Sequence, residues 1–180
     1  MKPLCVDLFC GLGGWAAGFV AEGYRIVGFD IDPRFAGPYR EAGGEFVCQD
    51  VRTLDGRRFR NARCVVASPP CTEYSAARWV FNPELRRPPN RVLWDAAEEL
   101  GKKASVPTVI ENVQGAQRWR GKAKARFGPF YLWGDVSLTP HWRGTKGWHT
   151  DHHGRMQPNR RADIAKIPLP LARAVARGFL

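Results

Sequence analysis

Residues 3–30, PLCVDLFCGLGGWAAGFVAEGYRIVGFD, decide the fold. Two apolar runs, PLCVDLF and YRIVGFD, each carry an acid near their end, and a glycine-rich turn plus about one helix length of chain separates them. Apolar runs this short, without polar alternation, read as strands buried on both faces, the habit of a parallel sheet. Parallel neighbours need a crossover, and GGWAAGFVAEG supplies a helix for it. The stretch also imitates a secretory signal, with Lys2 ahead of small apolar residues. Against that, Asp7 interrupts the lead-in and Gly11, Gly13 and Gly14 suit a tight turn. No stretch approaches the roughly 18 uninterrupted apolar residues of a membrane span, so the chain reads as soluble and cytoplasmic.

Working outward, EFVCQD and ARCVVASPP repeat the strand design, and PTVIENV and GPFYLWGD continue it. PRFAGPYREAGG reads as a short helix closed by glycines. NRVLWDAAEELGKKA reads as an amphipathic helix with Val92, Leu93, Ala96, Ala97 and Leu100 on one side. LPLARAVARGFL reads as a further helix whose Pro168 and Pro170 mark its start. Alternating strand and helix implies an α/β, Rossmann-like doubly wound sheet. At 180 residues, 44% hydrophobic and 25% charged, the chain suits one globular domain rather than a disordered segment. Its core would span 1–113, and 114–180 would hold a basic aromatic region and the closing helix. The stretch 136–163, rich in Gly, His, Pro and Arg, is the least patterned.

The net charge of +11 is segregated. Residues 1–113 carry fifteen Lys and Arg against fourteen Asp and Glu, whereas 114–180 carry thirteen against three. That second part interleaves cations with Trp119, Phe127, Phe130, Tyr131, Trp133, Trp142 and Trp148. Such a mixture suits a surface that neutralises phosphates and stacks on bases, or simply the solvated basic face of a small domain. The five cysteines, at 5, 10, 48, 64 and 71, show no disulfide or zinc spacing. His141, His149, His152 and His153 are irregularly spaced with no cysteine nearby, so they read as a loop facing solvent or phosphate, with no metal site.

In open α/β sheets, ligands bind beyond the carboxyl ends of the strands. There DLFCGLGG lets backbone approach a cofactor, Asp30 can accept from ribose hydroxyls, Ile31 can cover an adenine and Asp50 can accept from an exocyclic amine. Each acid would equally serve as a helix cap or turn residue. The fourth strand leads into SPPC and the next into ENV, which brings Cys71 and Glu111 toward the same edge. A cysteine at a strand end is ordinarily an inert core residue, but here prolines hold it in a loop. A neighbouring carboxylate raises a thiol's pKa, so Cys71 and Glu111 would act on different atoms of one substrate.

In order, DLFCGLGG, FDID, QDV, SPPCTEYS and ENV resemble the core motifs of the DNA cytosine carbon-5 methyltransferases, over residues 4 to 113. The resemblance implies a compact S-adenosylmethionine-dependent methyltransferase fold. Phe9, Gly11, Leu12, Gly13 and Gly14 would bound the methionine part of the cofactor and Asp30 would hold the ribose. Ile31, Asp50 and Val51 would frame the adenine, with Pro70 closing below. Cys71 would add to carbon 6 of cytosine while Glu111 binds ring nitrogen 3 and the exocyclic amine. The base would be flipped out of the duplex, with Ser75 and Arg78 steadying its phosphate or serving as loop residues without substrate contact.

The departures are specific. The family's separate target-recognition domain has no room here, and its supporting glutamine-arginine motif is missing. Arg118 and Arg120, or Arg160 and Arg161, could stand in, and WGDVSLTPHW could serve as a recognition loop. The Gly-Asn ahead of the family's closing helix is replaced by Lys166-Ile167-Pro168. So compact a form resembles phage and prophage proteins. That implies DNA read single-stranded or with weak selectivity, a very short recognition site, or recognition through a separate partner or a homodimer. Two other readings stay open: a related methyltransferase acting on RNA or a nucleotide, and a non-catalytic nucleic-acid-binding protein that keeps the fold.

Overall fold

The computed structural model describes residues 1–75, 88–137 and 166–179. Arg78, Trp142, Trp148, Arg160, Arg161, the four histidines and the second half of WGDVSLTPHW lie outside the described residues.

Seven strands form one sheet: β1 (Leu4–Leu8), β2 (Arg25–Asp30), β3 (Glu45–Cys48), β4 (Cys64–Ala67), β5 (Thr108–Asn112), β6 (Ala125–Phe127) and β7 (Phe130–Gly134). Their order is β3-β2-β1-β4-β5-β7-β6. The first five run parallel, and β7 is antiparallel to both β5 and β6. The strand order reverses between β1 and β4, so the ends of β1 and β4 flank the point where ligands bind in such sheets. The β6 strand is absent from the sequence reading because its three residues, with Arg126 exposed, are too short to show a period. It forms a hairpin with β7 across Gly128, whose φ of 55° favours glycine.

Helices cover both faces. On one lie α1 (Gly14–Ala21), α2 (Ala36–Glu41) and α5 (Leu169–Arg177), burying Trp15, Phe19, Tyr39, Leu171 and Val175. On the other lies α3 (Val92–Ala104), packed through Trp94, Ala97 and Leu100 onto Val6, Val65 and Ile110. A fifth, one-turn helix, α4 (Gln117–Arg120), follows β5. Fully burying side chains such as Phe19 or Leu171 contributes about 1.5–3 kcal/mol each.

The glycine stops work as the sequence implies. After α1, Tyr24 N–H reaches the Phe19 carbonyl at 3.0 Å and Gly23 N–H that of Val20 at 3.0 Å, a Schellman pair with Gly23 at φ 86°. Gly43 and Gly44 repeat it after α2, which begins with a 3₁₀ turn at Pro33–Phe35.

Two expectations need correction. The buried stripe of α3 is Trp94, Ala97, Leu100, Gly101 and Ala104 rather than one containing Val92, which is 52% exposed. The large indole sets the helix rotation. Phe127, Phe130, Tyr131 and Trp133 are core residues and not a base-stacking surface, because β7 is covered on both faces.

The closing helix α5 meets α1 at two glycines. A Cβ on Gly18 would lie 2.2 Å from the Ala172 Cβ, and one on Gly14 would lie 2.5 Å from the Ile167 nitrogen. Around them, Arg173 and Arg177 pair with Glu22, Tyr24 Oη donates to the Ala176 carbonyl at 3.1 Å, and Arg63 donates to that of Phe179. Among the described residues no helix is long and apolar enough to cross a membrane.

Candidate active site

The carboxyl edge of the sheet gathers the sequence-predicted residues in two groups. The first surrounds the glycine loop. Phe9 leaves β1 with φ 58°, a left-handed conformation that costs a side-chain-bearing residue about 1–3 kcal/mol. Cys10 N–H then reaches the Phe29 carbonyl at 3.2 Å, and Gly11 N–H donates to Asp30 Oδ2 at 3.1 Å. Asp30 Oδ1 accepts from Asp32 N–H at 3.0 Å, so this carboxylate ties the end of β2 to the loop. A Cβ on Gly11 would meet nothing within 4 Å, which leaves open space over the loop; Gly13 lacks room beside Ala42. At Gly14 the missing side chain also makes room for Ile167, whose nitrogen would lie 2.5 Å from a Cβ there.

Beyond the loop, Ile31 stands 67% exposed, an apolar side chain left in solvent, whereas Val51 is buried. Asp50 caps the turn Val51–Thr53 through Arg52 N–H at 2.9 Å and also pairs with the Arg52 guanidinium, which holds its carboxyl below the usual range. An adenine amine would have to share that carboxylate with Arg52. Leu12 is half-buried in the loop. The open floor at Gly11, the Asp30 carboxylate and bare Ile31 fit a nucleoside-bearing cofactor.

The second group surrounds Cys71. Pro70 leads into a 3₁₀ turn, Cys71–Glu73, in which Tyr74 N–H and Ser75 N–H both reach the Cys71 carbonyl at 2.9 Å. The half-buried thiol is pushed up, first by burial and then by the Glu111 charge. Glu111, at the end of β5, is 8% exposed, and burial pushes its carboxyl up to about 8 against the opposing influence of the neighbouring Ser68 hydroxyl. This is a carboxylic acid that keeps its proton near neutral pH, next to a thiol.

Several residues that position this pair are not evident from sequence. Asn112 Nδ2 donates to the Pro69 carbonyl at 2.9 Å and so ties β5 to the cysteine loop. Ser68 N–H donates to the Leu8 carbonyl at 3.1 Å, and Trp15 Nε1 donates to Ser68 Oγ at 3.0 Å. Gly115 is required because a Cβ there would lie 2.0 Å from the Tyr74 carbonyl oxygen. Asp7 is fully buried with its carboxyl raised by burial; Tyr39 Oη donates to one oxygen at 3.1 Å and the other has no partner.

Arg120 is corrected as a substrate contact. Its side chain is 4% exposed and reaches Tyr74 Oη at 3.3 Å, Asp95 at 2.6 Å and the Arg91 carbonyl at 3.2 Å, with its guanidinium over Trp94. Most of its donors go to protein groups, two of them to Tyr74, three residues past Cys71. Arg118 is exposed and lies over Trp119, while Ser75 sits half-buried at the end of the cysteine turn. Among the described residues no three His, Cys, Asp or Glu side chains are grouped to hold a metal.

Residues 4–125 match the C-5 cytosine-specific DNA methylase family. The chain belongs to that family. The match covers both groups of the site and ends in β6. The type II methylase M.HgiDII of Herpetosiphon aurantiacus is 29% identical over 83 residues, 42% of this chain and 23% of that protein. The chain therefore spans about a quarter of the length of that curated relative. Among solved structures, the S. pombe Dnmt2 methyltransferase is 19% identical with a TM-score of 0.46, over 65% of this chain and 36% of that one. The Entamoeba histolytica methyltransferase EhMeth is 16% identical with a TM-score of 0.48, over 66% and 40%.

Proposed function

We propose that this chain transfers a methyl group from S-adenosylmethionine to carbon 5 of cytosine in DNA, with Cys71 as nucleophile and Glu111 as proton donor. The observation that carries the reading is a half-buried thiol beside a buried, proton-holding carboxyl, on the sheet edge that also bears an open glycine loop. Phe9, Gly11, Leu12, Gly13 and Gly14 would line the methionine part of the donor, Asp30 would hold the ribose, and Ile31, Asp50, Val51 and Pro70 would border the adenine. When bound, S-adenosylmethionine supplies an electrophilic methyl group.

Cytosine carbon 5 is too weak a nucleophile to take that methyl unaided. Cys71, its proton lost to solvent, adds as the thiolate to carbon 6 and makes carbon 5 enamine-like. Glu111 protonates ring nitrogen 3 as the sulfur adds, and accepts from the exocyclic amine. After methyl transfer, loss of the carbon 5 proton expels Cys71, nitrogen 3 returns its proton to Glu111, and the aromatic ring is restored. Because the target atom is unreachable inside a duplex, the base enters the site flipped or single-stranded, at a cost of a few kcal/mol in the duplex case.

The reading extends to phosphate contacts by Ser75, Arg78, Arg118, Arg160 and Arg161. It also extends to weak target selectivity unless a separate recognition partner or second copy contributes, and to a phage-encoded protein working in bacterial cytoplasm. One domain spanning 1–180 belongs to the same reading. The test is covalent trapping: with S-adenosylmethionine, an oligonucleotide carrying 5-fluorocytosine should form a stable adduct with the wild type and none with Cys71→Ser. Undiminished methylation by the serine variant would overturn it. Trapping or turnover on RNA or dCMP in preference to DNA would transfer the reading to another acceptor.

A further inference from the structure

On the function proposed above, Glu111 must hold a proton and then surrender it at the cytosine ring, and two residues behind it bear on that exchange. Trp15 is 2% exposed, fixed edge-on to Phe19 with ring centroids 6.3 Å apart. Its indole N–H lies 3.0 Å from Ser68 Oγ, while the Ser68 backbone is pinned to the Leu8 carbonyl. Ala67 pairs with Ile110 across the parallel strands β4 and β5, so the next residue, Ser68, stands beside Glu111, where its hydroxyl lowers the carboxyl pKa against burial. An indole nitrogen can only donate, and a hydroxyl has one proton to give. With Trp15 donating to its oxygen, Ser68 has its proton free for Glu111.

We propose that Trp15 and Ser68 form a one-way donor chain that makes the Glu111 oxygen facing Ser68 an acceptor and confines the carboxylic proton to the other oxygen, the one left for the substrate. Both are positioning residues, acting through Glu111. When the Cys71 sulfur bonds carbon 6, the C5–C6 π pair shifts to C4–C5 and the C4–N3 π pair moves onto nitrogen 3. Nitrogen 3 takes the Glu111 proton, and the electron pair of the broken O–H bond stays on Glu111 as a carboxylate. The Ser68 hydrogen bond strengthens as that charge grows, so it favours the transition state over the ground state. Burial and the Ser68 bond act on Glu111 in opposite directions, which leaves the acid protonated at neutral pH yet able to give the proton up. Among the described residues, Cys71 registers the Glu111 charge, and the β7 residue opposite Glu111 is the apolar Leu132.

The test uses the full chain and the variants Ser68→Ala and Trp15→Phe. The Glu111 carboxylic C=O infrared band, identified by its loss in Glu111→Gln, is titrated with pH and needs no turnover. Removing the Ser68 hydroxyl should move the midpoint upward, and Trp15→Phe should move it the same way by less. In methylation assays kcat of Ser68→Ala should fall about tenfold with KM for S-adenosylmethionine unchanged. The alkaline limb of its pH profile should follow the infrared midpoint upward. A midpoint and limb that coincide with the wild type in Ser68→Ala would overturn the chain. An infrared shift in a protein that never modifies cytosine would support the donor chain and instead overturn the function on which the proposal rests.

Discussion

Replacing Gly115 by alanine adds one methyl group where the turn after β5 meets the cysteine loop. The new Cβ would lie 2.0 Å from the Tyr74 carbonyl oxygen, whereas carbon and oxygen ordinarily meet at about 3.3 Å, so one of the two segments must yield by about 1 Å. Gly115 is not among the glycines with positive φ, so alanine meets no backbone strain and the effect isolates the collision. Neither side is free to move: Tyr74 is buried against Trp94 with ring centroids 5.6 Å apart and held by Arg120, and Asn112 anchors the start of the turn to Pro69. Overpacking of this kind costs about 1–3 kcal/mol. A shift of about 1 Å carried to Cys71 would cost about 100-fold in reaction rate. Urea unfolding gives the first quantity, and the rate of adduct formation on 5-fluorocytosine oligonucleotides gives the second. Gly37→Ala is the control, since a Cβ there meets nothing within 4 Å, and it should leave both unchanged or raise stability slightly. A Gly115→Ala protein with the wild-type midpoint and a trapping rate within about twofold would refute the argument that this glycine fixes the cysteine loop.

Two further outcomes follow from the site. Folding raises the Glu111 carboxyl from 4.5 to about 8, so between those values the folded protein keeps a proton that the unfolded chain releases. Stability is then full below about pH 4.5 and declines as pH rises toward 8. Glu111→Gln should remove about a few kcal/mol of that decline, read as the difference between urea-unfolding series for the two proteins; parallel series would refute it. Arg120→Met keeps an apolar stem but strips the hydrogen bonds to Tyr74 and the Arg91 carbonyl and the cation over Trp94. It should cost about 1–3 kcal/mol of unfolding free energy, little of it from half-exposed Asp95, and an unchanged urea midpoint would count against a structural role for Arg120.

The strands were legible because burial on both faces leaves unbroken apolar runs, and Asp30, Cys71 and Glu111 were legible because they stand where those runs stop. Helix rotation was less so: counting aliphatic residues in α3 overlooked Trp94, whose size decides which face turns inward. Composition marked 114–180 as basic and aromatic but could not separate rings that stack on a ligand from rings that fill β7. Arg120 was legible as a cation near the site, yet its inward turn depends on Tyr74 and Asp95 from distant segments. Ser68 and Gly115 carry no local signal, since a hydroxyl and a hydrogen atom gain meaning only from what lies opposite. For Trp15 a hint existed: an indole one residue past a glycine turn needs a hydrogen-bond acceptor when buried.

The contact between α1 and α5 has a kinetic consequence. Glu22 and Arg173 lie 151 residues apart in sequence, and Ile167 backs directly onto Gly14. Closing so long a loop is entropically slow, and contacts of this range form late. The glycine loop can nucleate locally with β1 and β2, but its rear wall arrives only when α5 docks. Competence to bind the donor molecule should therefore trail the appearance of the sheet during refolding, and ligand binding would report completion of the whole fold rather than of its first half.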